Sequence, residues 1–597
     1  MRAPGAPRYL WPARGARGRT PEGPSLVGLG AALRRHGPAC VIVGAFLISG
    51  LLTLPAFGVA WDEGLGNLFF GTRHLHYFTT FNCAYLDFQR DLPADVVAGL
   101  RLGESPMRDR PHEFPPVADL ASAASMELAG RRLGWLDPVD AFHVPGVLLA
   151  TAMLVAVYRF AWHRLGPTAA YVALVALATF PRLWGDMHFN VKDVAAAALF
   201  CFALLSYLRW YERPGWGRAC LAGAAGGLAL GVKANAAFLP LVLALGLWPG
   251  PRLARPASRA ARLTQLVGQH ASMVAVAAAV YVAAWPYLHA NPMRALEHLR
   301  YVLSQGDRPG AESLNPQPIA MTAATMPEAT LALWFGAVAM LLWLGAVEFS
   351  RGRGKRREAA LPAGEGADVL PCGRLLLAWC LVPIARASLP GTANFDGVRH
   401  FLEFLPAAAL LAGWAASRLG AVVERRLPGR GWLAAVGIAG AVAAPGVAGI
   451  AQYWPAPHLY FNRLAALAGG AERLFGPAEV TDYWATSYRL GMSWLNATAE
   501  PEARIVVPVA GWLARIAGPR WLRPDLEVVA DRDLEAALAG DRPVYVMFVT
   551  RREFYTDLAG WCEATRRPVH RLDVAGRPIL VVFELGPRSR AGAGAGA

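Results

Sequence analysis

In a chain of 597 residues, 55% are hydrophobic, only 17% are charged and the mean hydropathy is +0.31, which excludes an ordinary soluble globular protein and points to a polytopic membrane protein. The net charge of +15 would suit a nucleic-acid binder, but the basic residues gather in short connections between apolar runs, without interleaved aromatics, and that distribution is the positive-inside pattern of a membrane protein. The seven cysteines are scattered with no Cys-x-x-Cys pair, so zinc and redox motifs are excluded.

Residues 1–38 read as a basic cytoplasmic arm, with seven arginines and one acid up to residue 37, no small-residue cleavage site, and an apolar continuation too long for a signal peptide. Eleven spans are expected, at about 39–59, 140–160, 167–183, 193–210, 217–232, 234–249, 268–288, 328–348, 373–390, 401–417 and 432–452. With the N-terminus inside, the basic clusters Arg252/Arg255/Arg259/Arg262, Arg351/Arg353/Lys355/Arg356/Arg357 and Arg418/Arg425/Arg426/Arg430 all fall on the cytoplasmic side. An odd number of spans then leaves everything after Tyr453 outside. The transmembrane domain is thus expected over 39–453, with a long outer segment at 61–139.

That outer segment holds two expected interfacial helices, Gly64–Phe81 and 116–133. The second stays out of the span count because Asp119, Glu127, Arg131 and Arg132 would be costly in hydrocarbon. Residues 454–586 change character: A-R-I-V-V-P-V-A, L-E-V-V-A-D, P-V-Y-V-M-F-V-T and R-P-I-L-V-V-F-E-L read as strands between helical stretches, an α/β domain, followed by an Arg/Gly/Ala tail at 587–597.

Polar groups collect at the outer ends of the spans in four places: W-D-E-G with Asp62 and Glu63; P-R-L-W-G-D-M-H-F-N-V-K-D from Pro181 to Asp193; Lys233 with Asn235; and N-F-D-G-V-R-H-F from Asn394 to Phe401. Each taken alone has a plain explanation. A carboxylate there caps a helix, a lysine snorkels, and an Arg-His pair anchors the interface. Four such places on one face favour a site. His74-x-His76 with His112-Glu113 has metal-ligand chemistry, but histidines at i and i+2 do not share a helix face. Asp531 and Asp533 read as a helix cap before L-E-A-A-L-A, since no phosphate-cradling glycine loop accompanies them.

The ordered set W-D-E-G, G-T-R-H-L-H-Y-F, H-E-F-P-P, H-F-N-V-K-D, N-F-D-G-V-R-H-F-L-E-F-L-P and H-L-Y-F-N-R-L…T-D-Y-W-A-T-S-Y resembles the GT-C membrane glycosyltransferases. Within them it is most similar to the branch of glycosyltransferase family 39, the protein O-mannosyltransferases and the lipid A aminoarabinose transferase. The resemblance implies a GT-C fold of about eleven transmembrane helices with a C-terminal extracytoplasmic α/β domain. It implies a sugar donor linked to a polyprenyl phosphate, and transfer on the outer face to a lipid, glycan or protein hydroxyl. It also implies catalysis at Asp62 and Glu63, with Asp62 as the base, and binding of the donor phosphate or substrate by His188, Asn190, Lys192, Asp193, Asp396, Arg399 and His400. The chain departs from the family pattern at Val191, Phe395 and Ala485, where relatives carry proline, tyrosine and glycine.

The chemistry suits these residues. A hydroxyl attacking an anomeric carbon needs a base, while a polyprenyl phosphate leaves as a weakly basic anion and needs cations rather than a general acid. A monophosphate donor also needs no Rossmann nucleotide domain and no metal bridging a diphosphate, so no cofactor is implied, and a divalent metal is compatible but not required. The expected localisation is the inner (plasma) membrane, multi-pass, with the site and the C-terminal domain extracytoplasmic. The rival from another class is a polytopic transporter or lipid flippase with an accessory outer domain, which would carry its polar groups at mid-span.

Overall fold

The computed structural model describes residues 26–247, 259–289, 291–304, 314–353, 366–392, 394–530 and 533–585. The N-terminal arm up to residue 25, the connections carrying Arg252, Arg255, Lys355, Arg356 and Arg357, Asp531, and the C-terminal tail lie outside the described residues.

Apolar runs in lipid can satisfy their backbone only within themselves, and the chain complies with helix after helix. In order these are α1 (Leu26–Leu52), α2 (Leu68–Thr80), α3 (Val117–Ser125), α4 (Pro138–Arg164), α5 (Pro167–Ala178), α6 (Pro181–Asp186), α7 (Val191–Glu212), α8 (Trp216–Leu230), α9 (Leu239–Leu247), α10 (Arg259–Ala284), α11 (Ala295–Ser304), α12 (Gln317–Thr325), α13 (Glu328–Arg353), α14 (Gly366–Ala387), α15 (Leu405–Arg426) and α16 (Gly431–Gln452). Each of the expected spans overlaps a helix among the described residues. Among the described residues seven helical runs are long and apolar enough to cross a membrane: Arg35–Leu52, Pro138–Arg164, Val191–Glu212, Leu263–Ala284, Glu328–Val347, Arg399–Arg426 and Gly431–Gln452. The protein is integral to a membrane. The remaining expected spans are α5, α8, the Ala234–Leu247 run and α14. The expected span at 167–183 stops at Ala178 because Phe180 precedes Pro181 and is extended, with φ −77° and ψ 110°. Alanine-rich α5 sits between α4, α15 and α16, where small side chains let helices approach closely.

The segments 53–67, 179–190, 231–238, 388–404 and the C-terminal domain meet at one end of this bundle, as the ion pairs below show. The tight connections after Arg164, Glu212 and Arg426 lie at the other end. Of the two expected interfacial helices, the first is a π-helical turn over Glu63–Asn67 continuing into α2. Leu68, Phe69, Phe70, Arg73 and His74 are all buried, and α2 packs against α3. The second is α3 extended by a π-helical stretch over Met126–Arg132, and it is not among the seven runs.

Beyond α16 the short helices α17 (Arg463–Leu467) and α18 (Ala471–Phe475) lead to α19 (Tyr488–Thr498), and α20 (Gly511–Trp521), α21 (Leu534–Ala539) and α22 (Asp557–Thr565) alternate with a five-stranded sheet. Its strands are β1 (Arg504–Val506), β2 (Glu527–Val528), β3 (Val544–Val549), β4 (His570–Val574) and β5 (Arg577–Leu585), in the spatial order β2-β1-β3-β5-β4. β1 runs parallel to β2 and β3, whereas β5 is antiparallel to β3 and β4. β3 is wholly buried, as its unbroken apolar run requires. Four of the five strands are the four expected runs. β4 escaped notice because H-R-L-D-V is charged and on the sheet edge, and its hairpin to β5 turns through Ala575 and Gly576, both at positive φ (50° and 81°), a turn more often marked by Asn-Gly. Asp533 stands at the start of α21 without a side-chain cap.

Candidate active site

After α1 and a 3-10 turn over Leu54–Ala56 the chain runs without regular structure over Gly58–Ala60 and is clamped there by the C-terminal domain. The Gly58 N–H donates to the Thr486 carbonyl (2.9 Å), the Trp61 N–H to the Trp484 carbonyl (2.8 Å), and the Arg489 guanidinium to the Phe57 carbonyl (3.2 Å). The π-helical turn that follows separates two adjacent carboxylates. The Asp62 side chain keeps 31% of its surface open, whereas that of Glu63 keeps 1%. Glu63 accepts from its own turn at the Ala60 N–H (2.8 Å) and pairs with His143 Nε2 of α4 (2.9 Å). Burial raises the Glu63 carboxyl above its ordinary range, with His143 opposing. Gly64 is required by close approach, because a Cβ there would stand 2.5 Å from Trp512 and Leu513 of the C-terminal domain.

Asp62 faces Arg399, which is held by three carboxylates at once: Asp62 at 2.8 Å, Asp193 at 3.5 Å and Asp396 at 3.4 Å, one to each guanidinium nitrogen. The guanidinium also lies over the Trp484 ring, 4.3 Å from its centroid. Two of the three carboxylates have a second cation. Asp193 is bonded by Lys233, and Asp396 by Arg551 at 3.2 Å. Asp62 has no second cation among the described residues. The ions therefore balance, with Asp62, Asp193 and Asp396 against Arg399, Lys233 and Arg551. Backbone geometry supports the hub: Asp396 and Gly397 both take positive φ (60° and 79°), and the Gly397 N–H donates to Glu479 (2.6 Å). Burial lifts the Asp396 carboxyl to about 6, with Arg399 and Arg551 opposing.

Asn190 caps α7, accepting from the Asp193 N–H at 3.0 Å, and so fixes the first turn from which Lys192 and Asp193 project. Lys192 pairs with the fully buried Asp119 of α3 at 2.8 Å and donates to the Pro115 carbonyl. Burial pushes Asp119 up to about 6, with Lys192 opposing and the charges of Glu63 and Asp62 adding to the rise. His400 packs its ring against Phe395, 4.7 Å between centroids, and its carbonyl accepts from Asn235 at 2.9 Å and from Arg386.

The structure thus brings Asp62, Asp193, Asp396 and Arg399 into one cluster. Asn190 serves it as a cap, and Lys192 stands in a neighbouring pair. Glu63 and His188 point elsewhere. His188 is fully buried, bonded to Thr53 Oγ1 (2.8 Å) and the Trp184 carbonyl (2.8 Å) and stacked on Phe57 (4.3 Å), and burial lowers its imidazole to about 3. His74 and His76 do not converge with His112: His76 stacks on Tyr85, and His112 meets the Tyr301 ring edge. Among the described residues no group of three or more His, Cys, Asp or Glu is arranged to hold a metal ion.

Sequence reasoning missed His143, Asp119 and Arg551. Asp119 was legible as an acid in an apolar segment, a placement that asks for a buried partner. Arg551 lies two residues beyond the end of a buried strand in a separate domain, with no local signal linking it to Asp396, 155 residues away.

Residues 113–285 match the family described as dolichyl-phosphate-mannose-protein mannosyltransferase, a stretch that includes His143, His188, Asn190, Lys192, Asp193 and Lys233. The match agrees with the resemblance read from the ordered motifs. No protein of curated function matches the chain in sequence. Among solved structures, ArnT from Cupriavidus metallidurans bound to undecaprenyl phosphate is similar at 14% identity and a TM-score of 0.45, over 92% of this chain and 98% of that one. The archaeal oligosaccharyltransferase AglB from Archaeoglobus fulgidus, in complex with an inhibitory peptide and a dolichol-phosphate, is similar at 12% identity and a TM-score of 0.38, over 86% of this chain and 70% of that one.

Proposed function

We propose that this integral membrane protein is a GT-C glycosyltransferase that moves a sugar from a polyprenyl-phosphate donor to a hydroxyl on a lipid, glycan or protein acceptor, with inversion. The transmembrane domain is assigned to 39–453 and the outer α/β domain to 454–586. The observation that carries the reading is the asymmetry of the Arg399 hub. Among the described residues Asp62 is the one of its three carboxylates without a second cation, and it remains open, which is what a proton acceptor facing a substrate requires.

Asp62 takes the proton of the acceptor hydroxyl as its oxygen bonds to the anomeric carbon. The bond from that carbon to the phosphate oxygen breaks, and the polyprenyl phosphate leaves with the electron pair. Negative charge grows on the phosphate during this step, so a fixed cation in a poorly solvated setting stabilises the transition state more than the ground state. Arg399 is the cation next to the base, and Lys192 and His400 are assigned to the same anion. Because Arg399 is already saturated with carboxylates, the incoming phosphate competes with Asp62 for it, and its arrival frees the Asp62 carboxylate for the hydroxyl proton. Asp193 and Asp396 hold Arg399, Asn190 aims the α7 turn, and His188 and Glu63 fix the surrounding backbone.

The transporter reading is disfavoured by position, since this charge gathers at one end of the bundle and not at mid-span. The opposite end carries Arg164, Arg209, Arg213, Arg425, Arg426 and Arg430, which supports a multi-pass protein of the inner (plasma) membrane with its site extracytoplasmic.

The test is release of undecaprenyl phosphate by the full-length protein in nanodiscs, given undecaprenyl phosphate carrying mannose, glucose or aminoarabinose, with mass spectrometry of surface glycans and glycoproteins from cells with and without the gene. Turnover that vanishes in Asp62→Asn, together with a glycan lost from the deletion strain, is expected. No turnover on any donor and unchanged glycans would overturn the reading.

A further inference from the structure

The C-terminal domain reaches into the cluster through the carboxyl ends of β1 and β3, two of its three parallel strands. The chain leaving β1 brings Trp512 and Leu513 against Gly64, where no Cβ fits. The chain leaving β3 brings Arg551, of which 7% is exposed. Its guanidinium donates to Asp396 at 3.2 Å and to the Tyr483 carbonyl at 2.7 Å, and lies over the rings of Trp61 (4.8 Å) and Phe554 (4.7 Å). Trp61 is the residue before the base, and Asp396 is one of the three ligands of Arg399. One buried cation from the outer domain therefore grips both partners of the Asp62–Arg399 pair, each at one remove.

We propose that Arg551 is a positioning residue of the transfer site, holding Asp396 and Trp61 so that Arg399 and Asp62 keep their spacing, which makes the outer domain part of the catalytic unit. This rests on Asp62 acting as the base. A planar guanidinium can bond two acceptors in fixed directions while stacking on an indole, whereas an ammonium supplies charge without the fork, so Lys at this position would restore the role only in part. A mere clip between domains would behave differently. Arg520, which pairs with Asp137 at 3.1 Å on the exposed rim between the same two regions, provides that comparison.

The experiment uses the full-length protein in nanodiscs and two readouts: undecaprenyl phosphate release from the same three donors, and hydrogen exchange of the peptide spanning residues 58–67. In Arg551→Ala we expect kcat to fall about tenfold or more with donor KM within about threefold, and exchange at 58–67 to accelerate while β3 and β5 stay protected. Arg551→Lys should lie between this variant and wild type, and Arg520→Ala should match wild type in both. Wild-type kcat and wild-type exchange in Arg551→Ala would overturn the proposal, as would a fall in kcat without any change at 58–67. Faster exchange in Arg551→Ala, with wild type inactive on all donors, would sink the transferase reading and leave the structural grip of Arg551 standing.

Discussion

On one face of the turn after α1, Asp62 looks into an ion cluster with about a third of its side chain open; on the other, Glu63 is sealed against His143 and its own backbone. The two carboxylates are adjacent in sequence and chemically alike, and the π-helical turn sends them into different surroundings. The contrast shows that two adjacent acids in a motif need not share surroundings. One keeps access and a single exchangeable partner. The other gives up solvent for fixed hydrogen bonds that set where the first one points.

The sharpest way to break this contrast is isosteric replacement on each face. A positioned base contributes about 10²- to 10⁴-fold, so Asp62→Asn should lower kcat for donor turnover by about 10²- to 10⁴-fold, with the protein still folded and unfolding in a single transition. Glu63→Gln retains an acceptor for the Ala60 N–H and should stay within about tenfold of wild type. A larger loss from Glu63→Gln than from Asp62→Asn would reverse the assignment of roles.

Next in size is the Lys192–Asp119 pair, which stands beside the cluster with its carboxylate buried like Glu63 and its lysine half-buried. Removing one partner of a buried pair leaves an uncompensated charge and costs about 3–5 kcal/mol, whereas removing both is often close to neutral. Lys192→Met should therefore lower the unfolding temperature clearly, and Lys192→Met with Asp119→Leu should recover most of it. Donor KM should rise in both. Recovery of KM in the double variant would show that Lys192 acts only on Asp119 and not on the phosphate.

Smaller still is Glu63→Ala, which strands the Ala60 N–H and His143 Nε2 in a dry pocket at about 1–3 kcal/mol for each unsatisfied group. Thermal unfolding should register that loss, and Glu63→Gln should restore most of it. Equal unfolding temperatures for Glu63→Ala and wild type would mean that the buried face of the turn is not what holds Asp62.

Much of this arrangement was readable beforehand because membrane burial writes itself into composition. The helices follow from uncharged runs, and Asp62, Asp193, Asp396 and Arg399 stood out as polar groups at the outer ends of apolar segments. What the sequence could not separate was which polar residues face the cluster. Glu63 carries the same carboxylate as Asp62, and His188 is as polar as its neighbours, but their backbone sends both side chains away from the cluster. Arg551 was illegible for another reason: its partners come from distant parts of the chain, and only the docking of the outer domain brings them together. The edge strand β4 and the end of α5 at Ala178 show the same limit, set by a turn and a proline-bound residue in place of hydrophobic pattern.

The smallest expected effect concerns a carboxyl that, like Glu63, is sealed from solvent. Asp186, just before the cluster's α7 turn, is 3% exposed, and its Oδ1 meets no hydrogen-bond donor among the described residues. Burial raises its carboxyl from 3.8 to about 8, with Arg182 opposing. Its folded value lies above its unfolded one, so the folded protein holds the extra proton between roughly pH 4 and 8. The stability it contributes is complete below pH 4 and is lost as pH rises through about 8. Asp396 has the same sign over a narrower window, ending near 6. The unfolding temperature of the wild type in detergent should accordingly decline between pH 6 and 8.5. Asp186→Asn, which cannot ionise, should flatten that decline by about 2 °C or more, and Asp396→Asn should leave the slope above pH 7 untouched. If Asp186→Asn keeps the wild-type slope, Asp186 is ionised and paired in the folded protein, and it belongs with Asp62 on the open face of the site instead of with Glu63.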